Sequence, residues 1–288
     1  MEFIEVLKAI LFGIVEGITE WLPISSTGHM IILEELLDVQ NTYGSAFWNL
    51  FLVVIQLGAI IAVVVCFFNK LNPFFGKSLI VEGEEKTKEE KKNIWILWAK
   101  VIVGCIPAAV IGLFLDDIVN KYLNTAVVVS ITLILYGILF IVLEIFNKKR
   151  EFKTYETMNL TWKTAFFIGC FQILALIPGT SRSGVTILGA MLLLCSRSVA
   201  SEFSFFLSIP VMFGASLLKL VKFFIDGNSL VTSQVLFLLI GCVVAFMVSL
   251  FVIKFLMSFI KKHDFKPFGV YRIILGVLLL VLFLCNVL

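Results

Sequence analysis

Two short polar stretches carry side chains that could do chemistry within an otherwise apolar chain. The first, residues 16–29, holds two glutamates four residues apart, Glu16 and Glu20, and ends in a Ser-Ser-Thr-Gly-His run. The second, residues 178–184, reads Pro-Gly-Thr-Ser-Arg-Ser-Gly. Because ionisable side chains at membrane depth usually face a cavity or a reaction site, we expect the function to lie in these two stretches.

Glu16 and Glu20 are expected to lie on one face of a helix, since residues four apart are neighbours there. A surface pair is the structural alternative, but like charges at this spacing are destabilising and the flanking residues are apolar. Two carboxylates that face a cavity suit a hard divalent cation such as Mg²⁺ or Ca²⁺, and either could instead be a general acid or base. We therefore predict that Glu16 and Glu20 bind a metal ion.

The hydroxyl run after these glutamates supplies candidate nucleophiles and a histidine. Such residues also cap helices, which is compatible with a functional role. A lone histidine is usually structural, but His29 follows two intramembrane glutamates and three hydroxyls, and histidine can attack phosphorus or deprotonate a serine. We predict catalytic roles for Glu20, Ser26 and His29, and phosphate contacts for Ser25 and Thr27.

The second stretch has the composition of an anion site. It is not a Walker A loop, because the spacing and the lysine of that motif are absent. Backbone amides at a helix start can still hold phosphate together with hydroxyls, and Arg182 adds a planar donor matched to phosphate oxygens. Apolar sequence on both sides argues against a snorkelling role for this arginine. The predicted phosphate ligands are Gly179, Thr180, Ser181, Arg182 and Ser183.

Apolar helices must position these stretches. The chain is 60% hydrophobic and 15% charged, against roughly a quarter charged in a soluble domain. Six apolar segments are long enough to cross a bilayer, namely residues 47–68, 95–115, 125–146, 203–225, 231–257 and 270–288. We expect an all-α polytopic membrane protein that forms one domain over residues 1–288, is surrounded by membrane lipids and binds no nucleic acid. The acidic opening predicts that the first segment is retained and is not a signal peptide.

Each polar stretch interrupts a further apolar segment, 3–22 or 164–177, which predicts two re-entrant helical hairpins. The two halves also match at a constant offset of 156, and after the long loop 69–93 the offset changes by 19. The matched pairs include Gly13 with Gly169, Ser25 with Ser181, Gly28 with Gly184, and Gly104 with Gly241. One hairpin and three spans in each half predict inverted-topology repeats, the first over about residues 1–146 and the second over about 162–288.

Loop charges predict the orientation of these spans. Basic residues in loops 148–153 and 261–266 mark the cytoplasmic side, whereas Asp116, Asp117 and Asp226 mark the outer side. Both termini are then outside. Two lysines, at positions 219 and 222, lie near an outer helix end and do not follow this pattern.

The two polar stretches, together with residues 201–210, resemble those of the undecaprenyl-diphosphate phosphatase family, integral-membrane enzymes linked to bacitracin resistance. The resemblance covers essentially the whole chain. It implies an enzyme of the bacterial plasma membrane that hydrolyses the C55 lipid undecaprenyl diphosphate to undecaprenyl phosphate and inorganic phosphate, which recycles the lipid carrier of cell-wall synthesis. It also implies dependence on a divalent metal, an active site open to the outer face, and a substrate on which bacitracin acts. A homodimer is left open.

The resemblance also implies roles for individual residues. Glu20 would bind metal or act as acid or base, Ser26 and His29 would be nucleophile and base in an order that sequence leaves open, and Arg182 would clamp the diphosphate. Our preferred order has His29 deprotonate Ser26. An inverted-repeat transporter or lipid-phosphate flippase is the alternative, but a transporter needs no nucleophile, so the clustered reactive groups favour an enzyme.

Overall fold

The computed structural model describes residues 2–74, 86–123 and 125–285, without the side chains at positions 40, 41, 116–118, 120 and 121. Helices and turns form these ranges, and the described residues contain no β-sheet, only one isolated bridge between Thr154 and Cys195. Part of the predicted loop 69–93 and the side chains of Asp116 and Asp117 fall outside the described parts.

Twelve α-helices lie in the described ranges: α1 (Phe3–Thr19), α2 (Ser26–Leu37), α3 (Val39–Tyr43), α4 (Ser45–Cys66), α5 (Phe68–Leu71), α6 (Lys88–Tyr122), α7 (Ala126–Asn147), α8 (Trp162–Gln172), α9 (Arg182–Leu192), α10 (Arg197–Ile225), α11 (Thr232–Phe259) and α12 (Lys266–Leu284). Among these, α4, α6, α7, α10, α11 and α12 are long and apolar enough to cross a membrane. The six predicted spans are thereby confirmed, although residues 286–288 of the last one are not described.

The helices pack closely through small residues. Helix α11 packs on α1 and α4, α6 on α8, α4 on α10, and α7 on α12. A Cβ atom added at Gly13 would lie 2.7 Å from the carbonyl oxygen of Gly241, and one added at Gly169 would overlap the backbone of Gly104. Since small residues let helix backbones approach in membranes, these glycines fix the α1–α11 and α6–α8 contacts.

An ion pair between the buried Glu144 and the half-buried Arg197 joins α7 and α10 on one face of the protein. Arg197, at the start of α10, donates to both carboxylate oxygens of Glu144 near the end of α7, at 2.8 and 2.6 Å. The amide of Phe265, just before α12, donates to the same carboxylate at 2.9 Å. The basic loops that follow α7 and precede α12 therefore lie on the same face of the protein.

Two turns interrupt the shorter apolar segments. The first lies between α1 and α2, and the second lies between the 3₁₀ turn Ile173–Leu176 and α9. Ser25 lies immediately before α2, and Ser181 lies immediately before α9. Both have a left-handed backbone, with φ of 73° and 68°. A residue other than glycine costs about 1–3 kcal/mol in such a conformation, and residues of this kind cluster at functional sites.

Candidate active site

Glu20 connects the two polar stretches. Ser26 Oγ donates a hydrogen bond to Glu20 Oε2 at 2.9 Å, and Arg182 Nη2 donates to Glu20 Oε1 at 3.0 Å. The glutamate is buried and the arginine side chain is 11% exposed, so solvent screens this ion pair only weakly. One carboxylate therefore holds a serine hydroxyl from the first stretch and a guanidinium from the second.

Hydroxyls and backbone groups hold this arrangement in place. Arg182 Nη1 donates to the carbonyl of Ser204 on α10 at 3.0 Å. Ser183 Oγ donates to the carbonyl of Glu20 at 3.1 Å and lies 3.1 Å from Ser181 Oγ. The second stretch is thus bonded to both the side chain and the backbone at the end of α1.

Arg272 on α12 joins the two turns and was missed by our sequence reasoning. This side chain is fully buried. Its Nη1 atom donates to the carbonyl of Pro23 at 3.3 Å, and its Nη2 atom donates to those of Gly179 and Thr180 at 3.0 and 2.9 Å. An ionisable residue inside a predicted span was the available signal, the same one that singled out Arg182.

We expect Arg272→Lys to lower the turnover number of a reaction at this site by roughly 10²-fold, since small displacements of catalytic groups have effects of that order. Lysine keeps the charge but has no rigid fork to bridge three carbonyls. Arg197→Lys is the matched control, because it weakens the ion pair with Glu144 away from the turns and should lower only the melting temperature. Equal losses of turnover in both variants would contradict a positioning role for Arg272.

A cavity of about 730 Å³ opens beside Glu20, Ser26 and Arg182. Glu20, Ser26, Thr27, Ser181 and Arg182 line its polar part, with Gly179. Mostly apolar side chains from α4, α6 and α10 line the rest, among them Val53, Ala108, Leu113, Val211, Met212 and Leu218. A polar end within a mainly apolar wall suits an amphiphilic ligand with an anionic head group.

His29 is held away from Ser26. Its Nδ1 atom lies 2.8 Å from the carbonyl oxygen of Ser25, and its Nε2 atom lies 2.7 Å from the hydroxyl of Tyr271. Because a carbonyl only accepts, Nδ1 carries the hydrogen and Nε2 accepts from the tyrosine. Ser26 donates to Glu20 instead, so the expected His29–Ser26 pair is not formed here, since packing of α2 on α12 directs the histidine ring to Tyr271.

Three further predicted phosphate ligands are buried. The hydroxyl of Thr180 donates to the carbonyls of Leu174 and Ile177, so it shapes its own turn. Ser183 donates to the backbone of Glu20. Ser25 is fully buried and its hydroxyl has no hydrogen-bond partner. Among the predicted phosphate ligands, Thr27, Gly179, Ser181 and Arg182 line the cavity.

Glu16 retains a free carboxylate oxygen. The residue is 1% exposed, and its Oε1 atom has no hydrogen-bond partner. Within the described ranges, no group of three or more His, Cys, Asp or Glu side chains could hold a metal ion. Mg²⁺ commonly uses only one or two carboxylates and completes its shell with water and substrate phosphates. The unpaired oxygen of Glu16 would suit a cation, but Glu20 lines the cavity and Glu16 does not, so a metal ion bound by both glutamates stays a prediction.

The chain has clear relatives among known proteins. The family model described as "Bacitracin resistance protein BacA" matches residues 9–278. An undecaprenyl-diphosphatase of Enterococcus faecalis is 54% identical over 98% of this chain and 98% of its own length. Proteins of the same name from Streptococcus mutans and Lactiplantibacillus plantarum are 56% and 53% identical, over 97% and 96% of this chain and 96% and 97% of their own lengths.

Proposed function

This chain belongs to the family of the bacitracin resistance protein BacA, and we propose that the site joined by Glu20 carries the activity of that family. The chain is an undecaprenyl-diphosphatase: it hydrolyses undecaprenyl diphosphate to undecaprenyl phosphate and inorganic phosphate in a membrane. The observation that carries the location of the site is the contact of Glu20 with both Ser26 and Arg182, beside a cavity.

Ser26 is the nucleophile in our proposal. Its oxygen forms a bond to the terminal phosphorus while its hydrogen passes to Glu20, which already accepts that hydrogen bond. The bond from this phosphorus to the bridging oxygen breaks, and the electron pair leaves on undecaprenyl phosphate. Water then hydrolyses the phosphoserine and releases inorganic phosphate. His29 remains the alternative nucleophile or base.

Positive charge is needed because the diphosphate repels any nucleophile. Arg182 lines the cavity, and its guanidinium matches two phosphate oxygens at once. A divalent cation held by Glu16 and Glu20 would add charge that stabilises the transferring phosphoryl group. The apolar wall of the cavity would take the first part of the C55 tail.

We also propose that the two halves are inverted repeats and that each polar stretch is the tip of a re-entrant hairpin. Two features support this. Ser25 and Ser181, which match at the offset of 156, share a left-handed backbone. The close contact of Gly13 with Gly241 is repeated by that of Gly169 with Gly104, as expected if each half supplies corresponding partners.

The proposed orientation places the active-site cavity open to the outer face and both termini outside. It is supported by the hydrogen bonds that Glu144 accepts from Arg197 and from the amide of Phe265. These bonds place the basic loops after α7 and before α12 on one face. Positive loops favour the cytoplasm. The opposite end of α10, which lines the cavity, would then face outward.

Purified protein in detergent should release inorganic phosphate from a polyprenyl diphosphate when Mg²⁺ is present, and a chelator should stop it. Glu16→Gln should raise the Mg²⁺ concentration for half-maximal rate by at least about tenfold, because the amide has no negative charge and only one of the two carboxylate oxygens. Glu202→Gln is the matched control, since Glu202 is buried but paired with Lys70 at 2.7 Å.

Two results would contradict these proposals. Full activity in the presence of a chelator would show that the reaction needs no divalent metal. Transport of the lipid across vesicles without any phosphate release would favour the flippase alternative.

A further inference from the structure

Two lysines line the cavity far from Arg182. Lys219 and Lys222 are almost one turn apart near the end of α10, and both line the same cavity as Ser26 and Arg182. Arg182 bonds the carbonyl of Ser204 on this helix. At about 1.5 Å per residue, Ser204 and Lys219 are roughly 22 Å apart along the helix axis. The cavity therefore has cationic side chains at two separated places.

These lysines form no ion pair within the described ranges. Lys219 is half-buried and Lys222 is exposed. Both also line a smaller adjoining cavity with Asp226 and Asn228. A favourable interaction with the helix dipole accounts for a lysine in the last turn, but it does not explain why both side chains face the cavity.

Their position in the membrane also calls for a reason. Arg197, at the other end of α10, lies on the face that carries the basic loops. Lysines at the opposite helix end run against the usual charge distribution of membrane proteins. Such an exception is explained if the ammonium groups bind something that passes through the cavity mouth.

We propose that Lys219 and Lys222 form a second phosphate-binding site at the outer end of the cavity, separate from Arg182. The ligand is a phosphate-bearing anion: the diphosphate head group on its way in, or inorganic phosphate on its way out. An ammonium group binds phosphate as a point charge without fixed geometry, which suits transient capture. Charged clefts with low-dielectric walls raise the local concentration of such anions. This inference rests on the proposed function.

The test compares wild type with the double variant Lys219→Gln/Lys222→Gln, using the full-length protein in detergent. Rates are measured against polyprenyl diphosphate concentration, against NaCl, and with added inorganic phosphate as inhibitor. Capture of the head group predicts a KM raised by about tenfold with kcat within twofold, and a weaker salt dependence. Capture of the product predicts that the inhibition constant of phosphate rises instead by a similar factor. Either result supports the site.

Two further variants serve as controls for this test, and one binding measurement examines the site directly. Lys219→Arg/Lys222→Arg should behave like wild type, and so should Lys163→Gln, an exposed lysine outside both cavities. Unchanged KM and unchanged inhibition in the double glutamine variant of an active enzyme would overturn the site. A wild-type protein that releases no phosphate would contradict the proposed function instead. Equilibrium dialysis of radiolabelled phosphate tests the site without turnover: the wild type should bind phosphate at the lysines and at Arg182, whereas the glutamine variant should keep only the Arg182 site.

Discussion

Ser26→Ala should reduce phosphate release by at least about 10³-fold, because loss of a nucleophile usually removes most of the rate enhancement. Ser26 donates its hydrogen to Glu20 and lines the cavity, whereas alanine offers no oxygen to attack phosphorus. The measurement is kcat in detergent with saturating polyprenyl diphosphate and Mg²⁺, on protein whose expression and melting temperature match wild type.

The preceding serine provides the control for this substitution. Ser25 is buried, and its hydroxyl has no hydrogen-bond partner, so Ser25→Ala should cost about tenfold or less. Rapid quenching with a labelled diphosphate should place the label on Ser26. Activity near wild type in Ser26→Ala, or label on His29, would contradict the proposed order of roles.

Arg182→Ala should lower kcat/KM by roughly 10³-fold or more, since an arginine that stabilises a transferring phosphoryl group contributes about that much. The substitution also leaves Glu20 without its cationic partner in a largely buried site. Arg182→Lys should recover part of the loss, because it restores the charge but not the two-pronged geometry. Steady-state phosphate release, measured over a range of substrate concentrations, separates the effects on kcat and KM.

Arg150→Ala, in an exposed loop, is the matched control and should match wild type within twofold. An Arg182→Ala enzyme that keeps more than a tenth of the wild-type kcat/KM would show that this guanidinium does not bind the phosphate.

The spans could be predicted from sequence because length and uniform apolar composition are enough to define them. Each predicted segment lies almost entirely within one long helix, and only the helix ends differ. For example, α6 begins at Lys88, seven residues before the predicted start at residue 95. Charged residues at a helix end do not lower a segment's ability to be helical, so hydropathy alone cannot locate the first turn.

The proximity of the two polar stretches could also be anticipated, since matched positions in two repeats can meet at one place. The structure brings Glu20, Ser26 and Arg182 together. Which donor meets which acceptor could not be read from the sequence. The partner of His29 is Tyr271, 242 residues away, and that contact depends on how α2 packs against α12.

Arg272 shows a different limit of sequence reasoning. It occurs in an apolar segment without a motif around it, and its three acceptors are backbone carbonyls of two distant turns. Backbone acceptors leave no mark in the sequence. A charge inside an apolar span marks the residue as unusual, but the fold has to be known before its role can be assigned.

The bonds of Glu20 carry a consequence for the resting protein. Without substrate, Glu20 accepts from the Ser26 hydroxyl and from Nη2 of Arg182, whereas Nε of Arg182 has no hydrogen-bond partner. An arriving diphosphate competes for Arg182, and if it takes the hydrogen bond of Nη2, that bond is withdrawn from Glu20. The carboxylate has then lost its contact with the guanidinium at the moment when it must take the proton of Ser26. The substrate itself would thus make Glu20 a stronger proton acceptor.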